Sequence, residues 1–135
     1  MNDFDYLSIK KSKYPLYMTK MPANFLNNNS EILRQSENSD GVQRFADEPR
    51  IEAIAEYCEM GQPLFPTPIV ISINSDFIIF KDSQHFSFKE LSGSEKPMSI
   101  IDGQHRLLGI KKYEGRNDGA VSPILPVTLV LDANV

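Results

Sequence analysis

The feature that most constrains the fold of this chain is an apolar strand that runs directly into a helix, with a glycine turn between them. The segment reads MSIIDGQHRLLGIKKY, residues 98–113. Its opening residues favour a strand, which we predict over Met98–Ile101. Beyond the turn, apolar side chains recur at helical spacing and predict a helix from Gly103 to about Tyr113. A strand followed at once by a helix is typical of folds that mix both elements.

Other segments support the same fold class. Strands are predicted in YPLYMTKM (14–21), in FPTPIVISI (65–73), in FIIF (77–80) paired with HFSFK (85–89) as a hairpin, and in ILPVTLVLD (124–132). Residues Asn27–Ser30 supply cap side chains for a short helix that continues to about Gln35. A longer helix is predicted from Pro49 to Met60, with Cys58 on its buried apolar face. The sequence therefore predicts a mixed α/β fold.

Composition limits the classes of protein to which the chain can belong. Its 135 residues suffice for one domain with a single core, and 41% of them are hydrophobic. No apolar run approaches the roughly 20 residues of a membrane helix, and the N-terminus lacks a secretory signal. A lone cysteine suits a reducing compartment, so we expect a cytoplasmic protein without membrane contact. The net charge of −4 gives no support to bulk binding of a phosphate backbone.

The turn between the strand and the helix has the residue types of an anion site. Asp102 is a candidate helix N-cap, and Gly103 lets a ligand approach the backbone closely. The helix N-terminus favours anions, and the planar fork of Arg106 suits phosphate or carboxylate oxygens. His105 can donate a hydrogen bond or transfer a proton near neutral pH. An equally open interpretation is structural: Asp102 caps the helix, and Arg106 pairs with a neighbouring acid.

The segment IDGQHRLLGI closely resembles the signature of the DGQHR-domain proteins, a group that includes the DndB family encoded with DNA phosphorothioate-modification systems. All five signature residues are present, from Asp102 to Arg106. The upstream segments VQRFADEPRIEAIAEYC (42–58) and FPTPIVISI (65–73) are also similar to the opening motifs of these proteins. The resemblance covers about Tyr14 to Val135, with three separate blocks in the same order.

The resemblance also implies limits for the domain. DGQHR-domain proteins are larger than this chain and continue past the strand LPVTLVLD into a further helix and an Asn/Gln-containing motif. We therefore expect residues 1–13 to be an N-terminal tail and residues 14–135 to be a DGQHR/ParB-like domain that is incomplete at its C-terminus.

The DGQHR domain resembles the ParB/sulfiredoxin fold, which implies a mixed sheet with flanking helices and a phosphate-binding Gly-x-x-Arg turn. That motif corresponds to Gly103 and Arg106 here. Gln104 stands where ParB-type proteins carry Glu and sulfiredoxins carry a nucleophilic Cys. A neutral amide is neither a base nor a nucleophile, so sulfiredoxin chemistry is not expected, although Gln104 can still hydrogen-bond to phosphate or to a base edge. Arg44 occupies the place of a second phosphate contact, or else is a surface loop residue.

The resemblance implies a regulatory or DNA-processing protein that contacts phosphate through Gly103, Gln104, His105 and Arg106, with Arg44 in support. DNA is the expected partner of the full-length protein, a nucleoside triphosphate with Mg²⁺ is the candidate cofactor, and a homo-oligomer is a candidate assembly. One alternative is a Mg²⁺-dependent nucleotide triphosphatase or nuclease in which Asp102 holds the metal or orients water and His105 moves a proton. A second alternative is a non-catalytic protein-interaction module.

Overall fold

The computed structural model describes residues 3–9, 14–32, 47–90 and 96–133. Within these ranges the chain forms three α-helices, a single 3₁₀ turn and eight strands, which confirms the mixed α/β fold class. The helices are α1 (Ala23–Asn29), α2 (Glu48–Glu59) and α3 (Gln104–Gly115). The strands are β1 (Phe4–Ser8), β2 (Leu16–Pro22), β3 (Ser30–Ile32), β4 (Ile69–Ile73), β5 (Ile78–Phe80), β6 (His85–Phe88), β7 (Met98–Asp102) and β8 (Ile124–Leu131).

The described strands form one mixed sheet in the order β3-β7-β4-β8-β2-β1-β6-β5. Strand β8 lies inside the sheet, where it pairs in parallel with β4 and antiparallel with β2. Strand β7 pairs antiparallel with β4 and in parallel with the short strand β3. The predicted hairpin is confirmed as the antiparallel pair β5 and β6. The sheet thus places the end of β7 beside the start of β4.

Alternation of side chains along the central strands separates a core face from an outer face. Along β8 every second residue from Leu125 to Leu131 is buried, and the opposing residues of β4, from Ile69 to Ile73, are buried with them. Buried side chains of the three helices join the same core. The core members from the helices are Ala23, Leu26, Cys58, Leu107 and Ile110.

Helix α2 follows its sequence signals closely. Asp47 is the N-cap, and its carboxylate accepts a hydrogen bond from the backbone N–H of Arg50. Cys58 is buried as predicted, and burial raises the pKa of its thiol. Helix α3 packs closely on α2 at Gly109, where an added Cβ would lie 2.5 Å from the Ile54 side chain.

The short N-terminal helix was predicted wrongly. Asn27–Ser30 do not cap a helix that runs to Gln35, because they form the end of α1, which begins at Ala23 after the extended Pro22. Buried Leu26 anchors α1 to the core, while Ser30 turns to extended backbone and opens β3 beside β7. Asparagine and serine disfavour helix interiors, so they mark a helix end as readily as a start. Residues 33–35 lie outside the described residues.

The segment expected to be an N-terminal tail contains β1. Residues Phe4–Ser8 pair antiparallel with β2 and with β6, and Phe4 is buried against the rings of Phe86 and Phe88. These aromatic contacts hold β1 between the two parts of the sheet. No described helix has the length and apolar character needed to cross a membrane.

Candidate functional site

The turn between β7 and α3 is built on a glycine that no other residue replaces easily. Strand β7 ends at Asp102, and Gly103 then takes a left-handed conformation with φ +108° before α3 begins at Gln104. A Cβ on Gly103 would lie 2.5 Å from Cδ1 of Ile69, at the start of β4. The backbone angle therefore favours glycine, and a larger residue would also have to displace the end of the Ile69 side chain, so the turn lies close to β4.

A β-bulge precedes this turn. Ile71 pairs with Ile100, but Val70 pairs with Asp102, so Ile101 is an extra residue in β7. A bulge bends its strand and changes the direction of the next side chains, and bulges are frequent beside functional sites. Ile101 is 40% exposed, on the side of β7 opposite to the buried Met98 and Ile100. The bulge brings Asp102 into pairing with β4 and sets Gly103 over Ile69.

Asp102 does not cap α3, so this part of the sequence prediction was wrong. The N-cap position belongs to Gly103, which has no side chain to accept a hydrogen bond from the first-turn N–H groups. Asp102 precedes this N-cap by one residue. Because of the bulge it pairs with Val70 and remains in strand β7, where its side chain is exposed. Its carboxylate makes no hydrogen bond or ion pair to any of the described residues. Its charge still acts on Arg106, where it opposes the larger effect of desolvation, which lowers the pKa of the guanidinium.

Arg106 lies in the first turn of α3, as predicted, and its guanidinium is held by neutral groups. One terminal nitrogen donates to the carbonyl oxygen of Thr67, and the other donates to Thr67 Oγ1 at 2.8 Å. The guanidinium carbon lies 5.8 Å from the centre of the Phe65 ring. Arg106 is half-buried. In the part of the chain that the structure describes, no carboxylate lies within ion-pair distance of it. The alternative interpretation, in which Arg106 pairs with a neighbouring acid, is therefore not what the structure shows there. Desolvation lowers its pKa.

His105 connects the starts of two helices. Its Nε2 accepts a hydrogen bond of 3.2 Å from the backbone N–H of Asp47, the N-cap of α2. The accepting nitrogen carries no proton, so the neutral ring has its proton on Nδ1. Since Asp47 belongs to the segment VQRFADEPR, this hydrogen bond joins two of the sequence motifs. Arg44, from the same motif, lies outside the described residues.

Gln104 is the first residue of α3 and is half-buried. Its side-chain amide makes no hydrogen bond to other residues in the described ranges, and such an amide has two donors and one acceptor that suit a polar ligand. The structure therefore gathers Gly103, Gln104, His105 and Arg106 at one helix start. Thr67 and Phe65, which hold Arg106, were missed by the sequence analysis, because FPTPIVISI was interpreted only as a strand.

The electrostatics of this turn favour an anion. A helix N-terminus carries a partial positive charge, and the half-buried Arg106 adds a full one. The partial charge of the helix and the charge of Arg106 repel each other, and an anion between them would compensate both. Metal binding has less support: within the described ranges no three His, Cys, Asp or Glu residues are grouped to hold an ion, and Asp102 is the single carboxylate of the signature.

Comparison with known proteins matches the sequence to one family model. The DndB model, described as DNA-sulfur modification-associated, covers residues 4–135. Comparison with curated proteins and with solved structures gave no significant match.

Proposed function

Since this chain belongs to the DndB family of DNA-sulfur modification-associated proteins, we propose that it is a cytoplasmic regulatory or DNA-processing protein whose turn at Gly103–Arg106 binds a phosphate group. The ligand is a nucleotide or the DNA backbone. The role of the turn is to bind the phosphate group and not to hydrolyse it. The ParB-like character of the turn is part of the same proposal.

One observation carries this proposal: Arg106 is a half-buried cation beside a helix N-terminus, and its contacts are to the neutral Thr67 and Phe65. A guanidinium has five N–H donors. The contacts to Thr67 use one donor on each terminal nitrogen, so among the described residues Nε–H and two further N–H groups are unpaired and can donate to phosphate oxygens. Phosphate at this place would neutralise both positive charges at once.

Gln104 and His105 have supporting roles in the proposal. The amide of Gln104 can donate to a phosphate oxygen without adding negative charge, whereas a glutamate would repel it. His105 keeps Nδ1–H as its donor, because Nε2 already accepts from Asp47. Neither residue leaves a free base, because Gln104 is a neutral amide and Nε2 of His105 already accepts from Asp47, which favours binding over hydrolysis.

The experiment compares three variants with the wild type. Binding of ATP with Mg²⁺ is measured by calorimetry, and binding of a short fluorescein-labelled DNA duplex by anisotropy. A charge-assisted hydrogen bond contributes roughly 1.5–3 kcal/mol, so Arg106→Ala should weaken binding about 10- to 150-fold. Arg106→Lys keeps the charge and loses the fork. Lys111→Ala removes the same charge from the exposed side of α3 and should leave affinity unchanged.

The outcomes separate the proposal from its rivals. DNA affinity should be modest and should fall with added salt, because an acidic chain offers few cationic contacts. If neither probe binds, or if Arg106→Ala binds like the wild type, the phosphate proposal fails. A protein-interaction module then becomes the better interpretation.

A Mg²⁺-dependent hydrolase is the second candidate, and the exposed carboxylate of Asp102, which does not cap α3, is the observation that favours it. Mg²⁺ commonly binds one or two carboxylates together with substrate phosphates. ATP hydrolysis by the wild type that is lost in Asp102→Asn would support this candidate. Hydrolysis that appears only in Gln104→Glu would indicate a binding protein that lacks its base.

A further inference from the structure

The segment Leu64–Thr67 connects α2 to β4 and is fastened to α2 by Tyr57. The backbone N–H of Leu64 donates to the Tyr57 hydroxyl at 2.8 Å, and the hydroxyl donates back to the Leu64 carbonyl oxygen at 3.2 Å. The Tyr57 and Phe65 rings meet edge to face, with centres 5.5 Å apart. These contacts with α2 therefore hold the segment in place without any contribution from α3.

Its sequence also restricts its backbone. Phe65 and Thr67 each precede a proline, and a residue before proline is confined to extended conformations. Pro66 and Pro68 in turn have fixed φ angles. The carbonyl oxygen and the hydroxyl of Thr67 are thus presented from a stiff segment.

This stiff segment fixes the side chain of Arg106 in the phosphate turn. Both terminal nitrogens of Arg106 donate to Thr67, and the Phe65 ring lies beneath the guanidinium. Two hydrogen bonds and a ring face define the plane of the guanidinium, so its remaining donors point in a set direction. An arginine fixed in advance loses less side-chain entropy when it binds a ligand.

We propose that Thr67 is a positioning residue, which together with Phe65 holds the Arg106 fork in the orientation that binds phosphate. This inference rests on the function proposed above. Thr67 is exposed, so its hydroxyl is not needed to satisfy a buried group or to fill the core. Its side chain contributes through Arg106, and its effect on binding must depend on that arginine.

The test uses Thr67→Val, which keeps the shape and removes the hydroxyl, with Thr67→Ser as the matched variant that restores it. The probes are ATP with Mg²⁺ and the labelled duplex. Ordering one long side chain on binding costs about 0.5–1.5 kcal/mol, so an Arg106 that Thr67 no longer orders in advance predicts a roughly 2- to 12-fold loss of affinity in Thr67→Val. Thr67→Ser should bind like the wild type, and urea denaturation should show equal stability for all three proteins.

A double-mutant cycle makes the test specific. In the Arg106→Ala background, Thr67→Val should cause no further loss, because the group that it positions is absent. Thr67→Ala, at the same exposed site, provides a second variant if valine impairs folding.

Three results would overturn the inference: wild-type affinity in both Thr67→Val and Thr67→Ala, equal losses in Thr67→Val and Thr67→Ser, or the same loss with and without Arg106. An unchanged affinity in Arg106→Ala alone would refute the proposed function and this inference with it. A loss in Arg106→Ala without one at Thr67 would refute the inference alone.

Discussion

Helix α3 carries an arginine at each end, and the two are held in opposite ways. Arg116, at the C-cap, donates four hydrogen bonds to the carboxylates of Glu52 and Glu59 on α2. Arg106, in the first turn, donates to the neutral Thr67. A cation is favoured at a helix C-terminus and disfavoured at an N-terminus.

The difference indicates different roles for the two ends. At the C-terminal end, cations and carboxylates are paired: Arg116 and Lys112 together lower the pKa of Glu52 to about 2, and Arg116 also lowers that of Glu59. That arrangement joins α2 to α3. At the N-terminal end, Arg106 makes no ion pair in the described ranges and only the exposed Asp102 acts on it through its charge, so a ligand can supply an acidic partner.

The largest expected effect compares the glycines at the two ends of α3. Gly103→Ala meets both a left-handed backbone and the Ile69 side chain, so it should lower the free energy of unfolding by about 2 kcal/mol or more. Gly115→Ala has open space and helical backbone, and should be neutral or stabilise by up to about 1 kcal/mol. Urea denaturation measures both. Equal effects would mean that the β7–α3 turn is not a close contact.

The second comparison concerns the two arginines. Arg116→Ala should lower Tm by a few degrees, because it leaves two carboxylates close together on α2 without their shared cation. Arg106→Ala should change Tm less and affinity more, since it removes a cation that has no acid partner among the described residues. Thermal denaturation and ATP calorimetry on the same samples check both halves. A larger loss of Tm in Arg106→Ala would contradict the assignment of roles.

The smallest effect is in the dependence on pH. The folded-state pKa of Glu52 lies below its ordinary value of 4.5, so its stabilising contribution is complete above about 4.5 and is lost as pH falls toward about 2. The Tm difference between wild type and Glu52→Gln should therefore be constant from pH 7 to 5 and should shrink below 4.5. The Tm difference between wild type and Arg106→Ala should not show this dependence on pH. A constant Glu52→Gln difference down to pH 3 would contradict the ion-pair assignment.

The strand, turn and helix around residues 98–113 could be predicted because their signals are local. Apolar periodicity places β7 and α3, and it therefore places Arg106 in a first turn. The cap at Asp102 was predicted wrongly because the bulge at Ile101 depends on pairing with β4, a segment about 30 residues away. Cap propensity describes one residue and its next turn, and it carries no information about the register of a neighbouring strand.

The features that the sequence analysis did not predict also have long-range causes. Thr67 and Arg106 are 39 residues apart, and no periodicity connects them. Only Phe4 of the five residues of strand β1 is buried, so the strand has no clear apolar pattern, and its place depends on aromatic contacts with β6. The contact of His105 with Asp47 joins residues 58 apart, and it became visible only once both helices were placed.

The position of β8 inside the sheet has a consequence for synthesis on the ribosome. Strands β2 and β4 do not pair with each other, because β8 lies between them. Their facing edges can be covered only after residues 124–131 have left the ribosome, so more than a hundred residues of nascent chain precede closure of the sheet. Contacts of such long range form slowly, and unpaired strand edges promote association between chains. Nascent copies of this protein thus have a long interval in which a chaperone, or a neighbouring chain, can occupy the place of β8.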